Sequence, residues 1–147
     1  MSTLQSLRWQ HDQASSGKLR LVNLIEAHRP GDDAYPIALQ LARWTGLLRA
    51  HLASEYEWFY PALIASPNSE TAATARAFQT EMGHLAERLE AFDRRWSSSA
   101  VIGAGFSRFH REAFALFAAF DQRISREDRT LYPMAESQGV GAITNAA

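Results

Sequence analysis

The chain has 147 residues, 46% hydrophobic and 21% charged, enough for one domain with its own core and short for two. Its 15 basic residues nearly balance 16 acidic ones and are scattered along the chain, which argues against a nucleic-acid partner. Cysteine is absent, so disulfides, thiolate catalysis and iron-sulfur clusters are excluded, and any metal must take nitrogen and oxygen donors.

The first helix is expected from Leu4 to about Glu26, where Leu4, Leu7, His11, Ala14, Lys18, Leu21, Val22 and Ile25 recur at helical spacing. His11 lies on that apolar stripe. Gly17 weakens the helix by roughly 1 kcal/mol relative to alanine without interrupting the period. Pro30-Gly31-Asp32-Asp33 then reads as a turn.

A second helix begins near Pro36 and carries Ile37, Leu41, Trp44, Leu48, His51, Glu55, Trp58, Phe59 and Ala62 on one stripe. Pro61 cannot donate a backbone hydrogen bond, so a kink or a loosened turn is expected just before it. Ser66-Pro67-Asn68-Ser69 closes the segment, and Asn68 or Ser69 caps a third helix running to about Trp96. Phe78, Met82, Leu85, Leu89 and Phe92 form its stripe, with Glu81 and His84 one turn apart along the edge. Residues 97–105 read as a Ser/Gly-rich connection. The fourth helix, from Phe106 to Met134, threads Arg123 and Glu127 through its apolar face. The domain is expected over residues 1–138, with a loose tail over 139–147.

Four long helices with short connections predict an all-α, up-down-up-down antiparallel four-helix bundle. The N-terminus lacks the apolar core of a secretory signal and no stretch approaches the ~20 apolar residues of a membrane span, so a soluble cytoplasmic protein with no membrane partner is expected.

One stretch occurs twice. HLASEYEWFYPAL, from His51 to Leu63, returns in weaker form as RISREDRTLYPMA, from Arg123 to Ala135. Glu55 matches Glu127, and Tyr60-Pro61 matches Tyr132-Pro133. Charged and imidazole groups are costly in a core unless paired or bound to an ion, so an inward-facing set from all four helices calls for one shared explanation. Taken singly, each of these residues is more simply a hydrogen-bonded core group.

These motifs resemble the hemerythrin-like (HHE cation-binding) family over about Leu4 to Ala135. The resemblance implies a four-helix bundle with a non-haem iron site, His11 being the ligand from helix 1. His51 and Glu55 would be the pair from helix 2, His84, with Glu81 beside it, the ligand from helix 3, and Glu127 the carboxylate from helix 4. Arg123 stands where the family carries its last histidine, and a guanidinium offers only donors, so it cannot ligate a metal. By resemblance, His11, His51, Glu55 and Glu127 would still hold one ion, while the second position keeps His84 and Glu81. The implied centre is mononuclear or weakly dinuclear, with iron favoured and zinc or manganese allowed. Its implied task is binding, sensing or storing a metal or a diatomic ligand such as dioxygen or nitric oxide, more in the manner of a binding protein than an enzyme. The alternative is a metal-free helical scaffold or partner-binding module in which Arg123 and the carboxylates form a salt-bridge network. On sequence alone, Arg123→His should raise the ion content toward two. The sequence leaves the oligomeric state open.

Overall fold

A computed structural model describes residues 3–141, and the described residues are mostly helical, with no strand among them. The stripe on α1 (Thr3–Ala27) is buried at Leu4, Leu7, His11, Ala14, Leu21 and Ile25, as the spacing predicts, while Lys18 and Val22 are half-buried and Gly17, off the expected stripe, is buried. After the turn at positive-φ Gly31, α2 (Tyr35–Ser54) runs back along α1. The order of contacts fixes the direction: His11 meets His51, the Trp44 indole donates to the Ala14 carbonyl at 3.1 Å, and Gln40 reaches Gly17. Gly17, a liability in the sequence, is explained by this packing. A Cβ there would stand 3.1 Å from Trp44 Cδ1, so glycine lets the indole lie against the α1 backbone.

The expected disturbance before Pro61 takes a specific form. From Glu55 to Phe59 the helix widens into a π segment, closed by the Tyr60 N–H donating to the Glu55 carbonyl, before α3 (Tyr60–Ile64) resumes. The same event recurs at the second copy. There α6 (Phe106–Arg126) passes through a π segment from Glu127 to Leu131, closed by Tyr132 N–H on the Glu127 carbonyl, into α7 (Tyr132–Ser137). Five residues of regular helix sweep about 500°, which would leave Glu55 and Tyr60 about 140° apart. The widened turn buries both, together with Phe59, and does the same for Glu127 and Tyr132.

Between the copies, Asn68 caps α4 (Ser69–Arg95) by accepting from the Glu70 and Thr71 amides at 3.1 Å, with Glu70 in the first turn. The stretch expected to be a plain connection over 97–105 is instead partly helical. Ser98 caps α5 (Ser99–Ala104), which buries Ile102 completely, an apolar residue that a Ser/Gly reading of the composition overlooks. α4 and α6 run in opposite directions, since Glu81 meets Arg123 and Arg126 while Arg95 and Trp96 both meet Glu112. Lys18 on α1 pairs with Asp121 on α6 at 2.6 Å. Trp44 meets Phe117 and Phe120 edge to face inside the core.

The expected loose tail is partly fixed. Val140 packs against the core, and the Leu4 amide donates to the Gly141 carbonyl at 3.5 Å, while the remainder of the predicted tail lies outside the described residues. No helix among the described residues is long and apolar enough to cross a membrane.

Candidate metal centre

Four elements deliver the polar groups that meet in the core: α1, α2 and the two π segments. His11 from α1, His51 from α2, Glu55 from the first π segment and Glu127 from the second are all buried, the two carboxylates at 0% and 1% exposure. His11 Nε2 lies 3.1 Å from His51 Nε2 and 3.0 Å from Glu127 Oε1, and His51 Nε2 lies 2.9 Å from Glu55 Oε1. One donor atom each from His11, His51 and Glu127 falls within 4.8 Å of the others.

The far side of each imidazole is committed. His11 Nδ1 donates to Asp128 Oδ1 at 2.8 Å, and His51 Nδ1 donates to Gln10 Oε1 at 2.7 Å. With the Nδ1 protons so placed, both neutral rings turn the lone pair of Nε2 toward the other and toward the carboxylates. Such a cluster of acceptors repels itself unless a cation sits among them, and a proton is the smallest that can. The electrostatics follow from this. Burial disfavours charge on His51, yet Glu127 and Glu55 outweigh it and push its pKa up to about 9. Burial likewise opposes protonation of His11, but Asp128 and Glu127 leave its pKa raised. Burial, then the charge of Glu127, push Glu55 well above the carboxylate range. Burial would raise Glu127 too, but hydrogen bonds from Glu55, His11 and His51 and the charge of Arg123 hold it well below its ordinary value.

The donor set fits a metal. Two ligand atoms each ~2.1 Å from one ion and about 90° apart stand about 3 Å from each other, the spacing of the two Nε2 atoms. Glu55 Oε1 is buried and, although it stands 2.9 Å from His51 Nε2, that approach is not aligned as a hydrogen bond, which leaves the oxygen able to turn toward a shared ion.

Two tyrosines brace this cluster crosswise. Tyr60, in the first copy, donates to Glu127 Oε2 of the second at 3.0 Å; Tyr132, in the second, lies 3.0 Å from His11 Nε2 and 3.5 Å from Glu55 Oε2 of the first. Burial and the neighbouring carboxylates raise both phenol pKa values far above their ordinary value, so both keep their protons. The repeat marks Tyr60 and Tyr132 as a matched pair but gives no sign of their hydrogen bonds to the opposite copy. Gln10 and Asp128 have no signal of their own, because each sits next to a core residue and reaches across to another helix, Gln10 from beside His11 to His51 and Asp128 from beside Glu127 to His11.

Two expected ligands stand elsewhere. His84 and Glu81 are exposed, because Phe78, Met82, Leu85 and Leu89 take the inward face of α4 and leave residues 81 and 84 on its flank. Glu81 Oε2 is bound by Arg126 at 2.5 Å and Arg123 at 3.4 Å, and both residues line a surface groove of about 240 Å³ with His84 and Arg88. Arg123 itself is buried, at 6% exposure, with its guanidinium 4.7 Å from the Phe78 ring. Its Nη2 bonds the Tyr60 hydroxyl and its Nε faces Glu127 Oε2 at 3.3 Å. Burial would lower its pKa, but Glu127 and the other nearby acidic groups raise it, so the charge is permanent. The spare histidines are occupied away from the cluster, His28 stacked on Phe106 and His110 on Phe114.

No curated protein and no solved structure matches this chain. The model of the hemerythrin HHE cation binding domain matches residues 5–135, from the first turn of α1 through the second Tyr-Pro pair, and the chain therefore belongs to that family.

Proposed function

We propose that this chain binds a single metal ion between His11, His51, Glu127 and Glu55, in an up-down-up-down four-helix bundle of the hemerythrin type. The observation that carries the reading is the convergence of one buried donor atom each from His11, His51 and Glu127, with the buried Glu55 Oε1 2.9 Å from His51 Nε2. Two nitrogens and two oxygens suit iron, and also zinc or manganese. Such an ion would supply an open position for a small diatomic ligand such as dioxygen or nitric oxide, which makes sensing or storage the task we favour over catalysis.

The chain's own residues prepare that position. Asp128 and Gln10 fix both imidazole tautomers with Nε2 free of its proton, while the Tyr60 hydroxyl donates to Glu127 and the Tyr132 hydroxyl lies against His11 and Glu55, so that the two phenols hold the donor groups in place. Glu81 and His84 are left out of the ligand set because they are exposed on the flank of α4.

Metal analysis of protein produced without a histidine tag, in medium supplemented with iron, zinc and manganese, tests the reading. About one equivalent is expected, and less than about a tenth of an equivalent would refute it in favour of a metal-free scaffold built on the Arg123 network. An absorption spectrum tests the identity: ferric iron with these donors absorbs beyond the tryptophan band, whereas zinc does not.

A further inference from the structure

Glu127 divides its two oxygens between two cation positions. Oε1 belongs to the donor cluster, 3.0 Å from His11 Nε2, while Oε2 faces Arg123 Nε at 3.3 Å and accepts from Tyr60. The first position can exchange its occupant. The second holds a guanidinium that cannot leave and cannot lose its proton.

Arg123 is fixed from every side. Phe78 lies 4.7 Å from its guanidinium, Glu81 holds Nη1 from the groove, and the Tyr60 hydroxyl holds Nη2 from within. Its Nε is buried and makes no hydrogen bond, so Arg123 meets Glu127 mainly as charge against charge. A carboxylate that already serves a fixed cation gives less electron density and less negative field to a second one.

We propose that Arg123 is a tethered second cation that acts through Glu127 to hold the bound ion in the lower of its two valences. The inference rests on the single-ion reading above. Its size follows from Coulomb's law: one unit charge at about 6 Å, under an effective dielectric of about 20, changes the preference between the ferrous and ferric ions roughly 100-fold. Glu81 is the outer counter-charge. At 47% exposure its side chain is screened by solvent, so removing it should change the same preference only a few-fold, and in the opposite sense.

The test is a spectroelectrochemical titration of the iron-loaded full chain and three variants. Arg123→Met keeps the stem over Phe78 and removes the charge; its reduction potential should fall, by about 59 mV for each tenfold change in preference. Arg123→Lys keeps the charge and should stay close to the parent. Glu81→Gln should raise the potential. A merely structural Arg123 would lower the thermal stability of the Met and Lys variants alike and leave their potentials where they were, which overturns the proposal. Should Arg123→Met fail to fold, Glu81→Gln decides alone, because it changes a surface residue: an unmoved or lowered potential overturns the proposal. A parent chain that takes up no iron overturns the metal reading and this inference together, whereas uptake with unmoved potentials overturns this inference only.

Discussion

The two copies of the repeat differ less in backbone than in what they place beside their carboxylates. Each runs through a π segment that opens on its glutamate, ends before a Tyr-Pro pair and buries glutamate and tyrosine together. In the first copy the residue four positions before the glutamate is His51, whose ring presents a lone pair. In the second it is Arg123, which presents only protons. The neighbouring helices follow suit. Opposite the first copy α1 supplies His11 as a second donor, while beside Arg123 α4 supplies Phe78 as a flat surface for a guanidinium. One scaffold thus presents cation acceptors on one side and holds a fixed cation on the other.

The sharpest way to break this contrast is to remove the first copy's donor. His51→Ala should lower ion affinity at least 100-fold, read by titration calorimetry with a divalent metal, since it removes one of three convergent donors and the partner of Glu55. Making the copies alike should fail. Arg123→His restores a histidine, but Phe78 faces it and His84 points away, so ion content should remain at one equivalent rather than approach two. The same change strips Glu127 of a permanent counter-charge and should cost about 3 kcal/mol in denaturant unfolding.

A pH series separates the copies by a different route. In the metal-free protein His51 titrates at about 9 when folded and near 6.5 when unfolded, so its contribution is complete below 6.5 and is lost as pH rises through 9. Glu55, raised to about 8 by burial, adds a decline that begins lower, near pH 4.5, and is complete by about 8, because it too holds its proton longer in the folded state than in the unfolded one. The His51 share alone should lower stability between about pH 6.5 and 9 by on the order of 3 kcal/mol. An added ion replaces these protons and should abolish the decline. Below about pH 4.5 the depressed Glu127 acts the other way, and stability should fall again as it is protonated. The charge on Arg123 contributes no step in this range.

The smallest effects come from the cross-braces. Tyr60→Phe takes a hydrogen bond from both Glu127 and Arg123 and should cost about 2 kcal/mol, whereas Tyr132→Phe removes one shorter and one longer contact and should cost about 1 kcal/mol. Equal costs in thermal unfolding would mean that the two copies are braced alike, against the contrast drawn here.

Much of this was legible in the sequence. The helical stripes, the Asn68 cap, the paired carboxylates and the intruding Arg123 all follow from spacing and side-chain chemistry. The π segments were half legible: Pro61 and Pro133 announce a disturbance, but not that it widens the turn and brings Tyr60 and Tyr132 onto the face of Glu55 and Glu127. The misplacement of Glu81 and His84 has a plain cause. A stripe of Phe78, Met82, Leu85 and Leu89 fixes which face of α4 is buried only to within about one residue's rotation of 100°, and polar residues on the flank can be read either way. Gln10 and Asp128 were beyond reach, since their roles arise from side chains crossing between helices.

The crosswise bonds also bear on when the site can exist during folding. Tyr60 and Glu127 are 67 positions apart, Tyr132 and Glu55 are 77, and His11 and Glu127 are 116. Helices and their hairpins form from near neighbours, but these contacts close only after the last helix has docked on the first. A single chain half can neither assemble the pocket nor keep it. An ion would therefore recognise the completed fold alone and add to its stability with the logarithm of the ion's concentration, so that stripping the metal should lower the unfolding temperature of a chain that still folds.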